Sequence, residues 1–258
     1  MPLSRAISAD LDWRDHSPST NTELVARASS APDLAVVATD NQTAGRGRLD
    51  RVWSAAPGSA LAVSVLVRHD AAAVDPVRLG WLPLLAGVAM SRAVRSLGVA
   101  RVGVKWPNDV LAATAEGERK LSGILAELSP DGVVIGAGLN LTMSHDDLPV
   151  PTATSLALEG VPTDAALTDR ALAAYLRELL ALVGEWRAAT HPSALRALVE
   201  PELQTLGRAV RVDRPGVPVV LGVAEGLDDD GRLLVRAADP IVGVIAVAAG
   251  DVTHLRYE

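Results

Sequence analysis

The stretch Gln42-Thr43-Ala44-Gly45-Arg46-Gly47-Arg48-Leu49-Asp50-Arg51-Val52-Trp53 decides how this chain is read. Strand-like apolar runs flank it, Leu34 to Thr39 before and Ala60 to Arg68 after, so the segment predicts a loop between two strands. Gly45 and Gly47 permit backbone conformations that a Cβ discourages. Arg46, Arg48 and Arg51 place three guanidinium forks within six positions, and such forks grip phosphate or carboxylate oxygens two at a time. The expected ligand is an anion under a glycine-hinged loop. Spacing sets aside two phosphate motifs: the loop has no Gly-Lys-Ser/Thr and leads into a strand, and GxGxxG is absent. The plainer reading is a solvated hairpin tip whose arginines only add solubility, and it leaves both glycines and the closing tryptophan without a purpose.

Working outward, a chain of 258 residues with 49% hydrophobic content is long enough for one sizeable domain and a small one. Its net charge of -7 argues against general nucleic-acid binding and makes the basic loop a local feature on an acidic protein. Met1 to Asn21 lacks the apolar core of a signal peptide, and the most apolar stretch, Leu79 to Met90, contains Pro83 and Gly87 and is too short to span a bilayer. The expectation is a soluble, cytoplasmic protein with no membrane partner. Cysteine is absent, which excludes disulfides, thiolate metal sites and a cysteine nucleophile. Of the 24 basic residues only Lys105 and Lys120 are lysines. Both fall close to Trp106-Pro107-Asn108-Asp109, as expected where a compact ammonium is needed rather than a planar fork.

Along the chain, Thr20 and Glu23 stand in capping-box register before Leu24, Val25 and Ala28, and Pro32 ends that helix. Asp75-Pro76 and Gly98 bracket a long buried helix. Val102 to Lys105 reads as a short strand running into the Trp106–Asp109 turn, and Thr114 to Arg119 as a polar loop. Leu121 to Leu128 and Val133 to Leu141 are expected hairpin partners, with Gly136, Gly138 and Asn140 leaving room against the sheet. Leu167 to Trp186 has amphipathic helical spacing, and a second helix restarts at His191-Pro192-Ser193 and runs through Leu203. The five histidines stand alone without ligand spacing, so histidine-bound metal is not expected. From Leu206 onward short β-rich runs, punctuated by Asp228-Asp229-Asp230-Gly231, predict a small barrel.

Ser19-Thr20-Asn21, Gln42 with Gly45-Arg46-Gly47-Arg48 and Arg51-Val52-Trp53, Lys105 to Asp109, Lys120 to Leu125, and Gly136 to Asn140, in that order, resemble the biotin-protein ligases. The resemblance spans most of the chain. It implies an α+β catalytic domain over residues 1–203, with a mixed or antiparallel sheet of the class II synthetase-like, lipoate–biotin ligase type, and a C-terminal SH3-like β-barrel over 206–258. It implies an activity: biotin and ATP form biotinyl-5′-AMP, and biotin passes to a lysine of a biotin carboxyl carrier domain of a carboxylase. Ser19, Thr20, Asn21, Gln42, Gly45, Arg46, Lys120, Gly123 and Leu125 are carried over to biotin. Arg48, Arg51, Trp53, Lys105, Asn108 and Asn140 are carried over to the adenylate. Lys120, Arg48 and Asp109 take the catalytic roles, and Mg2+ is expected with ATP, its ligands left open.

Asp50 departs from the glycine that many family members have at this place, and a carboxylate there could pair with Arg48 or Arg51. About eighteen residues precede Ser19, short of a helix-turn-helix, so the resemblance points to the monofunctional type without a DNA partner. Monomer and homodimer both remain open. The runner-up is a lipoate or octanoate ligase or transferase of the same fold. A non-catalytic small-ligand or RNA-binding module is the alternative from another class, and the acidic total and scarce aromatics weigh against it.

Overall fold

The computed structural model describes residues 1–48, 52–69, 76–214, 216–248 and 251–254. In chain order its elements are α1 (Pro2–Arg5), β1 (Leu11–Arg14), α2 (Thr20–Arg27), β2 (Val36–Thr39), β3 (Gly45–Arg46), β4 (Val52–Trp53) and β5 (Ala60–Val67). There follow α3 (Pro76–Leu79), α4 (Trp81–Ser96), β6 (Val102–Lys105), β7 (Asp109–Thr114), β8 (Gly117–Ser129) and β9 (Gly132–Asn140). The remainder is α5 (Leu167–Ala188), α6 (Pro192–Val199), β10 (Ala209–Arg214), β11 (Val217–Leu227), β12 (Leu233–Ala237), β13 (Val244–Val247) and β14 (Asp251–His254).

A seven-stranded sheet runs β1-β2-β5-β9-β8-β7-β6, with β1 and β2 parallel and the other neighbours antiparallel. Period-two alternation sorts its residues between two faces. Val63, Val65, Val67, Val133, Ile135 and Leu139 join α4 and α5 in the main core. Leu66, Val134 and Val37 pack on α2 on the other face, where the helix covers only part of the sheet. β5 is buried along its whole length, with Leu61, Val63, Val65 and Val67 in the main core and Leu66 against α2. Helices Val77–Ser96 are long and apolar enough to cross a membrane, but two thirds of that span is buried inside the fold, as suits a core helix.

Three local expectations are corrected. Thr114 to Arg119 is largely strand, because β7 and β8 meet in a tight hairpin with Thr114 opposite Gly117. The α-helix from Pro192 stops at Val199, where Pro201 forces a turn of 3₁₀ helix over Glu200–Glu202. The helix between Pro76 and Gly98 is broken at Gly80, where a Cβ would lie 2.7 Å from Asp230 O, and Asp75 falls outside the described residues.

The C-terminal strands form a five-stranded antiparallel sheet, β13-β12-β11-β10-β14, the architecture expected of the small C-terminal domain. Its inward residues Val210, Val212, Ala224, Leu233, Val235 and Val252 belong to the same core cluster as α4. The indole N–H of Trp81 donates to Asp229 O (2.9 Å), and that of Trp106 to Gly231 O (3.2 Å). The Asp228–Arg232 turn is thereby held against the larger sheet.

At the other end, the buried carboxylate of Asp169 in α5 accepts the amides of Leu3 and Ser4, both at 2.9 Å, and the Ser4 hydroxyl at 2.6 Å. Burial pushes this carboxyl up, but these hydrogen bonds outweigh it and leave it below the usual carboxylate range. A depressed carboxyl stabilises the fold above its unfolded value of about 3.9 and loses that contribution as pH falls through the folded value. Asp169→Asn should therefore cost about 1–3 kcal/mol in urea unfolding at pH 7. The gap between variant and wild type should shrink as the pH is lowered below that of free carboxylates; a gap independent of pH would contradict this assignment.

Candidate active site

A cavity of about 600 Å³ opens on the sheet face that α2 leaves bare, a volume suited to a small organic ligand. Its floor is made by what the strands lack. Ala62, Gly138, Gly123 and Asp109 lie side by side across β5, β9, β8 and β7, and Ser64, Gly136 and Leu125 form the next row. Small residues in the middle of three strands leave a flat, accessible surface.

The register of β8 explains how Lys120 reaches that surface. Val110 pairs with Ser122 but Leu111 pairs with Lys120, so Leu121 is the extra residue of a β-bulge. In a regular strand Lys120 and Gly123 would face opposite ways. With the bulge, Leu121 and Ile124 both enter the core, while the Lys120 chain arches over Gly123, where an added Cβ would sit 3.2 Å from Nζ. Lys120 Nζ pairs with Asp109 Oδ1 at 2.6 Å.

One end of the cavity is neutral and densely hydrogen-bonded. Ser19, rather than Thr20, caps α2 by accepting the Thr22 amide, and Glu23 takes the Ser17 hydroxyl instead of closing a capping box. Thr20 is thus free to give its amide (2.9 Å) and hydroxyl (3.3 Å) to Gln42 Oε1. The Ser64 hydroxyl lies 2.7 Å from Thr20 Oγ1 and 2.6 Å from Asn21 Oδ1. Asn21 Nδ2 donates to Leu125 O (3.1 Å) and Glu127 Oε2 (2.7 Å), and the other Glu127 oxygen holds Arg46 at 2.7 Å. Asn21 fits only because residue 136 is glycine, since a Cβ there would overlap its amide.

The opposite end gathers charge. Arg48 donates to Asn108 Oδ1 (3.1 Å), and Asn108 is fixed by exchanging hydrogen bonds with Ile124, its own Nδ2 giving to Ile124 O at 2.9 Å. Asn140 Nδ2 is tied to Thr154 O (2.8 Å), and the Thr154 amide to Lys120 O. Trp53 lies over Gly138, with ring atoms 3.1 to 3.4 Å from where a Cβ would be. Lys105 and Lys120, the only lysines of the chain, both line this cavity, as do Thr253 and His254 from β14.

Of the residues singled out in the sequence, Ser19, Thr20, Asn21, Gln42, Arg46, Arg48 and Trp53 meet Lys105, Asn108, Asp109, Lys120, Gly123, Leu125 and Asn140 on its walls. Gly45 stands behind them and gives Gln42 its place, because a Cβ would lie 2.6 Å from Trp53 O and overlap the Gln42 amide. Arg51 and Asp50 lie outside the described residues. Ser64, Glu118, Glu127, Thr253 and His254 were not picked out as site residues. Only strand alternation could have revealed Ser64 and Glu127, and nothing local marks the others. Among the described residues no three acidic or histidine side chains gather as a metal cage.

A mixed sheet with a half-covered face, a glycine-hinged arginine loop and a lysine–aspartate pair defines the fold and site of an acyl-activating protein ligase. The chain belongs to the biotin/lipoate A/B protein ligase family: that family matches residues 13–140, and the biotin protein ligase C-terminal domain matches 205–255. It is 41% identical to the biotin–[acetyl-CoA-carboxylase] ligase of Mycobacterium tuberculosis over 97% of this chain and 92% of that one. It is 30% identical to the bifunctional ligase/repressor BirA of Escherichia coli over 84% of this chain and 66% of that protein. The solved biotin protein ligase of Aquifex aeolicus in complex with biotin and ATP superposes with a TM-score of 0.75 at 25% identity, covering 96% of this chain and 99% of that one.

The floor makes a prediction of sign. Gly136→Ala must displace Asn21 and should destabilise the fold by about 1–3 kcal/mol, as overpacking does. Gly184→Ala, on the exposed face of α5 with open space around it, should stabilise by about 0.5–1 kcal/mol. Paired urea titrations read both; equal effects would show that the floor tolerates side chains.

Proposed function

We infer that this chain activates biotin with ATP to biotinyl-5′-adenylate, releasing pyrophosphate, and then transfers biotin to a lysine of a biotin carboxyl carrier domain. The observation that carries the reading is one cavity with two unlike ends, a neutral hydrogen-bonding end at Thr20, Asn21 and Gln42, backed by Ser64, and a cationic end at Lys105, Lys120 and Arg48. A ureido ring has donors and acceptors for the first end. A carboxylate and a triphosphate need the second. An octanoyl tail has no polar group to offer an end lined by Thr20, Asn21 and Gln42, so that end suits a ureido ring better.

In the first step a biotin carboxylate oxygen attacks the α-phosphorus and pyrophosphate leaves with the electron pair of the broken P–O bond. Two anions must approach each other. Lys120, turned onto the floor by the bulge, neutralises charge that develops at phosphorus, and Asp109 aims its ammonium. Arg48, held by Asn108, lies over the adenylate, Trp53 covers Gly138 of the floor, and Asn140 meets the nucleotide. In the second step the carrier amine attacks the acyl carbon and AMP departs. Among the described residues Asp109 and Glu118 are the carboxylates lining the cavity, a sparse donor set that fits Mg2+ arriving on the triphosphate rather than resident in a protein cage. The division at residues 203 and 206, a carboxylase carrier as partner and a cytoplasmic setting belong to the same proposal.

Biotin-dependent pyrophosphate exchange, with lipoate and octanoate as competitors, tests the substrate. Lys120→Ala should slow exchange by about 10²–10³-fold, the usual cost of deleting a transition-state charge contact. Arginine should rescue poorly because its charge is spread over a planar fork. Exchange at the wild-type rate in Lys120→Ala would remove Lys120 from the chemistry. Arg48→Gly should release the mixed anhydride before transfer, seen as biotinylation of albumin in the same tube. Negligible labelling equal to wild type would count against the loop as a retaining lid.

A further inference from the structure

The seam between β14 and the β8 rim carries a hydrogen-bond chain that the proposed chemistry does not use. The His254 side chain is 8% exposed and both ring nitrogens have partners, Glu118 Oε2 at 3.0 Å from Nδ1 and Thr205 Oγ1 at 3.1 Å from Nε2. Glu118 is also held by Arg208 at 2.6 Å. Thr205 is fully buried, and its Oγ1 accepts the backbone amide of Trp106 at 3.0 Å.

The direction of each bond follows from the chemistry of the groups. A carboxylate only accepts, so Nδ1 carries a proton and donates to Glu118. The Thr205 oxygen takes the Trp106 N–H and gives its own proton to Nε2. A neutral imidazole thus completes the chain with every group used. Burial lowers the proton affinity of His254, Glu118 opposes that, and the cations Lys105 and Arg208 reinforce it, which keeps the ring neutral near pH 7. The threonine, histidine and glutamate are spaced like a nucleophilic triad. Thr205, however, has no exposed surface and already accepts an amide, so the arrangement positions backbone instead of attacking substrate.

What it positions is the turn Trp106-Pro107-Asn108-Asp109. Asn108 accepts from Arg48, Asp109 pairs with Lys120, and the Trp106 indole is anchored separately to Gly231. We propose that His254 is a positioning residue: through Thr205 it fixes the Trp106 amide, so that the last strand of the C-terminal sheet sets the geometry of the cationic end and leaves the neutral end untouched. That the cationic end takes ATP rests on the function proposed above.

Two measurements on the full chain separate the proposal from that function. Hydrogen exchange of His254→Ala should quicken at amides 104–111 and stay at the wild-type level at amides 19–27; unchanged exchange at 104–111 overturns the coupling whatever the substrate is. In pyrophosphate exchange His254→Ala should lose up to about 10²-fold in kcat/KM for ATP, the scale of a misplacement of about 1 Å, with KM for biotin unchanged. His254→Gln, whose amide oxygen can still accept from Thr205 Oγ1, should recover part of that loss. Equal losses toward ATP and biotin, or no rescue, would overturn the positioning role. If His254→Ala does not fold, His254→Asn, which keeps the donor to Glu118 and loses the contact to Thr205, takes its place. Quickened exchange at 104–111 in a protein whose wild type shows no biotin-dependent activity would uphold the coupling and refute the ligase reading.

Discussion

A ligand can lie against the seven-stranded sheet only where the strands project almost nothing, and the row Ala62, Gly138, Gly123 supplies that space. Glycine weakens a strand, because it contributes no packing and loses more conformational freedom on folding. The fold offsets this on the opposite face, where Val63, Ile135, Ala137 and Leu139 press on α4 and α5. One face of β5, β9 and β8 is therefore specialised for stability and the other for access. Trp53 from the basic loop and Asn21 from α2 both occupy volume that a Cβ at Gly138 or Gly136 would claim.

Charge is distributed on the same economy. The protein carries a net charge of -7, yet both of its lysines face one cavity. An ammonium without a partner would attract any passing anion, and Asp109 holds that of Lys120 in place. The pair is partly solvated, so it adds little to stability. Its importance is orientation: Asp109 and Gly123 are cross-strand neighbours, and the bulge at Leu121 brings the lysine onto their face. Glu127 acts similarly at the other end, joining α2 to the loop through Asn21 and Arg46.

The C-terminal sheet is more than an appendage to this arrangement. Its core is continuous with that of the large sheet, two tryptophan indoles are satisfied by carbonyls of its Asp228–Arg232 turn, and β14 supplies part of the cavity wall. Buried indole N–H groups need acceptors, so Trp81 and Trp106 make the seam specific as well as apolar. That seam meets the turn carrying Asn108 and Asp109.

Much of this was legible in the chain itself. Alternating apolar residues marked β5, β8 and β9, helical spacing marked α4 and α5, and the glycines, arginines and paired lysines marked most of the cavity wall, because period and residue chemistry are local properties. The sequence could not show that Ser19 displaces Thr20 as the cap, since the choice depends on Gln42 arriving from another segment to bind Thr20. Nor could it show the bulge, which exists only in the pairing of β7 with β8 and inverts the face expected for Lys120. His254 stood alone among unpaired histidines, and Glu118 looked like part of a solvent loop. They meet because the two sheets share one core, and contacts between residues 136 positions apart are set by packing, which no local pattern records.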